Sequence, residues 1–201
     1  MSLAEKADNL AQVKKYFDAM LEIEKVSPGL AQAIRNGSKT LGEETRYVRK
    51  EFDGALGGGT VKLIDPDEKN QIGHSSFPGQ MTASNDAFII TGVSARYSLA
   101  NSVFESRLTD DLPTPLLHHE FRVVADGQVK TRNLGREFLV TGPGYGKPNS
   151  DQIELEVVRF IQDNKPIQIE FEGSASLDAP TAPKKHVIEV MLHVLAVQGK
   201  S

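Results

Sequence analysis

Hydrophobic and polar positions alternate through much of the second half of the chain. From Gln152 to Ile161, Ile153, Leu155 and Val157 fall on one face, with Glu154 and Glu156 on the other. Pro166 to Gly173 repeats the pattern, with Ile167, Ile169 and Phe171 set against Gln168, Glu170 and Glu172. Asp163-Asn164-Lys165 between them predicts a hairpin. The last segment, His186 to Val197, carries an unbroken apolar face at Ile188, Val190, Leu192, Val194 and Ala196. A period of two means one face on a core and one face wet, the habit of antiparallel sheets. Ala87 to Tyr97 is different, because Phe88, Ile89 and Ile90 are consecutive. That run predicts a central strand covered on both sides, fed by the polar break Ala83-Ser84-Asn85-Asp86.

Further strands are expected around it. Thr60 to Ile64 is short and closed by Asp65-Pro66-Asp67, and Ile72 to Met81 is at best an edge element broken by Pro78-Gly79. Residues 98–119 form a long excursion. Glu120 to Ala125 and Gln128 to Asn133 flank Asp126-Gly127, the strongest hairpin signal in the chain. Glu137 to Thr141 is another short strand, leading into Gly142-Pro143-Gly144-Tyr145-Gly146-Lys147-Pro148. Strands without intervening helices predict an all-β fold: one antiparallel β-sandwich of eight or nine strands, of the jelly-roll kind.

Only the N-terminus has helical periodicity. Leu3, Leu10, Val13, Phe17 and Met20/Leu21 recur at three, four and seven, with Lys14, Lys15, Asp18 and Glu22 opposite. Pro28-Gly29 ends this helix, and a short one follows from Leu30 to Arg35. The expected organisation is an N-terminal helical arm at 1–37, a Gly-rich linker at 38–59 and a β-sandwich at 60–201. Packing of the stripe on its own sheet is the plain alternative to a subunit contact. The sharper expectation is that Leu10, Val13, Phe17, Met20 and Leu21 form a subunit interface away from the sandwich. Residues 1–53 hold equal numbers of Lys/Arg and Asp/Glu, so membrane contact is not indicated.

Composition narrows the functions. The 201 residues include no cysteine, which excludes disulfides and thiol catalysis. Net charge is −4, with no basic footprint for nucleic acid. No segment reads as a signal peptide or a membrane span. The five histidines do not suggest a metal site: His118 and His119 are adjacent and so point apart on a strand, and His186 and His193 differ in parity. His74 stands in a loop. Glu154/Glu156 and Glu170/Glu172 would share the wet face of a hairpin, where paired carboxylates serve glycoside hydrolysis. A solvated amphipathic face is the simpler account, and the absence of Trp removes the usual sugar platform. GPGYGK at 142–147 lacks the phosphate-loop spacing, and Pro148 stands where the hydroxyl is needed. Neither an enzyme nor a cofactor is expected.

The segment FPGQMTASNDAFIITGVSARYS resembles a pattern in capsid and other virion proteins of tailless icosahedral bacteriophages. The matching residues are Phe77, Gly79, Met81, Phe88, Ile90, Thr91, Gly92 and Val93, and the hairpin VVADGQVKTRNL with REFLV follows as in that family. The resemblance implies a jelly-roll subunit of a protein shell, assembled in the host cytoplasm and located in the virion. Its partners would be copies of itself and other virion proteins, with no catalytic residues to transfer. Two eight-stranded barrels do not fit in 201 residues, so a single-barrel shell protein or minor component is implied. The alternative is a ligand- or carbohydrate-binding β-sandwich module.

Overall fold

The structure, a computed structural model, describes residues 11, 14, 15, 18, 19, 21, 26–108, 112–138 and 153–199. Eight strands carry the described part of the chain. They are β1 (Lys39–Phe52), β2 (Leu56–Lys62), β3 (Phe88–Ala100), β4 (Glu120–Ala125), β5 (Gln128–Leu134), β6 (Ile153–Ile161), β7 (Ile167–Leu177) and β8 (Lys185–Gly199). Helix α1 (Pro28–Arg35) precedes them. A single turn α2 (Thr114–Leu117) and a 3₁₀ turn (Gly135–Phe138) lie between strands. The strands form two antiparallel four-stranded sheets, ordered β1-β8-β3-β6 and β2-β7-β4-β5.

One apolar core joins the two sheets. The first contributes Val48, Phe88, Ile90, Val93, Ile188, Val190, Leu192 and Val194; the second contributes Leu56, Phe121, Val123, Ile167, Ile169 and Phe171. The even positions of β8 and the odd positions of β7 thus face inward, in step with the sequence period. Phe171 anchors the middle, with the rings of Phe121 and Phe52 centred 5.4 and 6.5 Å away. The register of β3 shifts between Ile90 and Gly92 against both neighbours. This bulge at Thr91 restores inward parity, so that Phe88 and Ile90 before it and Val93, Ala95 and Tyr97 after it all reach the core. Ile89 points the other way and is also buried, which makes β3 a strand covered on both faces.

Three sequence expectations change. Residues 38–59 are not a linker, because they hold all of β1 and the start of β2. Charged residues mask the strand period of β1. Arg46 lies over the Phe88 ring and pairs with Asp86, while Arg49 and Lys50 pair with Glu189 and Asp65. Aliphatic stems bury while charged heads find partners, as suits an edge strand. Gly57, Gly58 and Gly59 sit within β2, and Gly57 and Gly59 pair with Ser176 and Gly173.

Second, β6 and β7 do not form a hairpin. They lie in different sheets, and Asp163-Asn164-Lys165 carries the chain from one to the other. Two amphipathic strands bury their apolar faces equally well by facing across a core. Third, Glu137 and Phe138 belong to the 3₁₀ turn rather than a strand, and the rest of the expected strand, 139–141, lies outside the described residues. The Asp126-Gly127 hairpin is present as read, with both residues at positive φ (51° and 70°).

Close backbone approach decides two glycine positions in the second sheet. A Cβ at Gly173 would stand 2.7 Å from the His119 ring, and one at Gly57 would stand 2.4 Å from the Ala175 carbonyl oxygen. His119 is fully buried there, edge-on to Phe171 at 5.7 Å. Gly173→Ala is therefore expected to destabilise the protein by about 1–3 kcal/mol through overpacking. His119→Ala in the same chain should recover part of that loss. Chemical denaturation of the two single variants and the double variant measures the coupling.

Candidate functional site

The outer face of the first sheet is where the fold departs from a simple amphipathic sandwich, since much of it is covered. At one end Leu21, Val26 and, from α1, Leu30 and Ala31 pack on Ala87, Ile89, Phe160, Leu195 and Val197. Helix α1 starts where the sequence allows: Ser27 caps it by accepting from the Leu30 amide, and Pro28 needs no amide partner in the first turn. It ends at Asn36, followed by Gly37 at φ +73°. At the other end Val103 and Leu108, from the excursion after β3, cover Val187.

Asp163, buried in the β6–β7 connection, fastens α1 to the sandwich. Its carboxylate accepts from the Ser27 amide (3.1 Å) and hydroxyl (2.5 Å), the Asn85 amide (3.2 Å) and the Asn164 side chain (3.3 Å). A buried charge with several donors is well held, and removing it leaves those donors without a partner.

One residue of the interface expectation lies in this layer. Leu21 is buried against the protomer's own sheet, so it is not free to meet a second copy. The apolar cluster on Ile89 and Leu195 had no signal in the period of β8 alone. Leu10, Val13, Phe17 and Met20 lie outside the described residues. Lys14, Lys15 and Asp18 are helical and exposed, as the polar side of the stripe predicts.

Between the two covered ends runs a polar strip. Cross-strand neighbours give its rows: Arg49, Glu189 and Arg96; Tyr47, Met191 and Ser94; Thr45, His193 and Gly92. Arg49 pairs with the buried Glu189. Ser94 is only 1% exposed, and its hydroxyl has no hydrogen-bond partner among the described residues. The same holds for the buried Nε2 of His193. Burial, and then the nearby Arg96, hold the His193 imidazole below its ordinary pKa.

Beside this strip, residues 74–76 cover the free edge of β1. The Arg49 amide donates to His74 and the Ser76 amide to Tyr47. The turn before them is stiff, with Gln71 and Ser75 exchanging two backbone bonds and Gly73 at φ +84°. The Gly73 amide donates to the Tyr47 hydroxyl, and the Arg49 guanidinium donates to the Gly73 carbonyl. Ile72 stands at the tip, 93% exposed, near Phe104 at 63%. The His74 ring lies 6.4 Å from that of Phe104.

The remaining histidines sit apart. His118 is exposed at the end of α2, whereas His119 is buried with Nδ1 donating to the Pro115 carbonyl. His186 accepts from the Tyr97 hydroxyl at Nδ1 and donates from Nε2 to the Asp178 carbonyl. His74 pairs with Glu68. No group of three metal-ligating side chains comes together among the described residues.

The acidic pairs are likewise separated, because β6 and β7 belong to different sheets. Glu170 and Glu172 both grip Arg122, at 2.9 and 2.5 Å, and Glu120 bridges to Arg132. These carboxylates are engaged in cross-strand ion pairing on the outer face of the second sheet. The side chains of Glu154 and Glu156, and the loop 142–147, lie outside the described residues.

No protein-family model matches this chain, and neither a curated protein nor a solved structure matches it. Among the described residues no helix is long and apolar enough to cross a membrane.

Asp163→Ala is expected to cost on the order of 3 kcal/mol, because several donors lose a charged acceptor at once. Ser27→Ala should cost roughly 1–2 kcal/mol, from the cap and one charged bond. Denaturant titration gives both values. Proteolysis between α1 and β1 should accelerate in Asp163→Ala before the sandwich itself is cut.

Proposed function

We propose that the two sheets form a jelly roll and that the protein is a structural virion protein, a self-associating subunit of an icosahedral phage shell. The strand pairing carries this reading. β1 pairs with β8, β2 with β7, β3 with β6 and β4 with β5, all antiparallel. That is the pattern of one long four-rung ribbon, doubled back at the β4–β5 hairpin. The extra pairs β3–β8 and β4–β7 are those made when such a ribbon rolls up. Eight-stranded double-sheet rolls of this kind serve viral shells, lectins and cupins.

The residues of the phage-like segment have structural work consistent with that reading. Phe77 is buried, Gly79 takes φ +134°, and Met81 bridges to Pro166. Phe88 and Ile90 enter the core, and Thr91 with Gly92 makes the bulge of β3. Fold does not dictate function, so the choice among roll proteins rests on the surface. Ile72, on the Gln71–Ser75 turn, and Phe104, on the turn closed by the Glu105 amide and the Ser102 carbonyl, are large exposed apolar side chains at a place where the core has no use for them. Exposed apolar anchors on a stiff support favour contact with another protein surface. On this reading the N-terminal helical arm also joins the assembly, with Leu10, Val13, Phe17 and Met20 facing a neighbour. Leu21, Val26 and α1 stay with their own protomer.

Sedimentation velocity and electron microscopy of the purified protein test the proposal. Concentration-dependent oligomers or closed particles are expected, and the paired substitutions Ile72→Asp and Phe104→Asp should disperse them without changing the thermal melt. A protein that stays monomeric at all concentrations and binds saccharides would instead be a ligand-binding module.

A further inference from the structure

We infer that Asn36 is a site of spontaneous modification: its side-chain amide is lost in the folded protein, and the product loosens the end of α1 that Asp163 does not hold. This inference concerns the protomer alone and does not rest on the shell proposal.

Position comes first. Asn36-Gly37 is the one Asn-Gly step in the chain. Loss of the amide begins when the backbone nitrogen of the next residue attacks the side-chain carbonyl carbon. A following glycine leaves that approach unobstructed. Here both residues are exposed, Gly37 stands at φ +73°, and a Cβ placed on it would meet nothing within 4 Å. Asn70, Asn85, Asn101 and Asn164 are exposed as well, but each precedes a residue with a side chain. Asn101 and Asn164 also spend their amide groups on Glu105 and Asp163.

The turn supplies the geometry. Asn36 Oδ1 accepts from the Ser38 amide at 3.0 Å, which folds the side chain back over the Gly37 peptide as an Asx turn. The same bond draws electron density from the carbonyl that is attacked. Opposing attack is the Gly37 amide, which donates to the Ile34 carbonyl at 3.0 Å. That bond closes the exposed last turn of α1, where helices fray.

The chemistry needs only water and solvent base. The Gly37 nitrogen bonds to Cγ of Asn36, the bond from Cγ to Nδ2 breaks, and the proton lost from Gly37 leaves with that nitrogen as ammonia. Water then opens the five-membered imide at either carbonyl, giving aspartate or isoaspartate. Aspartate keeps an acceptor for Ser38 but sets a negative charge at the C-terminus of α1, where Arg35 is the one basic residue. Isoaspartate goes further, because the backbone gains a methylene between α1 and β1. The bonds from Gly37 to Ile34 and from the Ser38 hydroxyl to the Ala33 carbonyl are set by the ordinary spacing there. Ile34 packs on the cluster that covers Ile89 and Leu195, so this end of the cover loosens. Ser27 and Asp163 still hold the start of α1, and the core lies on the opposite face of the sheet.

Ageing the purified full chain in mildly alkaline buffer, followed by digestion and mass spectrometry, tests the site. The peptide holding Asn36 should show the change from amide to acid, with aspartate and isoaspartate forms separable by chromatography. Peptides holding Asn85, Asn101 and Asn164 should keep their amides. Hydrogen exchange on the isoaspartate fraction should show lost protection at 31–36, with β4 and β7 unchanged. Asn36→Gln, whose side-chain carbon is one methylene too far for the five-membered ring, should age with its protection intact. The inference is overturned if Asn36 keeps its amide while the protein is folded and loses it only in denaturant. It is equally overturned if the isoaspartate fraction protects 31–36 as well as fresh protein does, or if aged Asn36→Gln loses that protection alongside wild type.

Discussion

The pairing of β1 with β8 is the constraint on which the rest of the molecule depends. It runs without a break from Lys39 opposite Gly199 to Phe52 opposite His186, joining the first strand of the fold to the last. β8 also pairs with β3 on its other side, so the first sheet has no centre until the final segment is in place. Loop-closure entropy must be met before these distant contacts return anything, which puts the chain among slow, non-local folders. Among the described residues the β4–β5 hairpin is the one strand pair that needs only local chain, and it lies at the turn of the ribbon.

The two faces of that first sheet do different work. Its inner face is mostly apolar, with Arg46 laid over the Phe88 ring on the β1 side, and closes on the second sheet. Its outer face is apolar at both ends and polar between, and each end has its own cover drawn from outside the strands. The second sheet is simpler, with charged residues outward and Arg122 and its glutamates paired across strands. Cover on one sheet and charge on the other make the molecule two-sided.

The buried polar groups on the covered side are the least economical feature of the fold. Ser94 and His193 each keep a polar atom away from water without a partner among the described residues, which costs stability. Asp163 is the opposite case, a buried carboxylate with donors on several sides that ties α1 to the β6–β7 connection.

Much of the architecture was legible in the order of residues. Alternation in β7 and β8, the Asp126-Gly127 turn and the doubly buried run of β3 are local patterns, set by the period of a strand and by the steric freedom of glycine. β1 was hidden because its charged side chains find partners on Asp86, Asp65 and Glu189, all remote in the chain. The placement of β6 and β7 in separate sheets was hidden because an amphipathic strand buries the same face whether its neighbour lies beside it or across the core. For the candidate site, the helical period marked Leu21 as apolar and left open whether its own sheet or a neighbour covers it; in the fold it packs on its own sheet. Periodicity states which face of an element is apolar. Only the tertiary fold decides what covers that face, because the partner is supplied by another part of the chain.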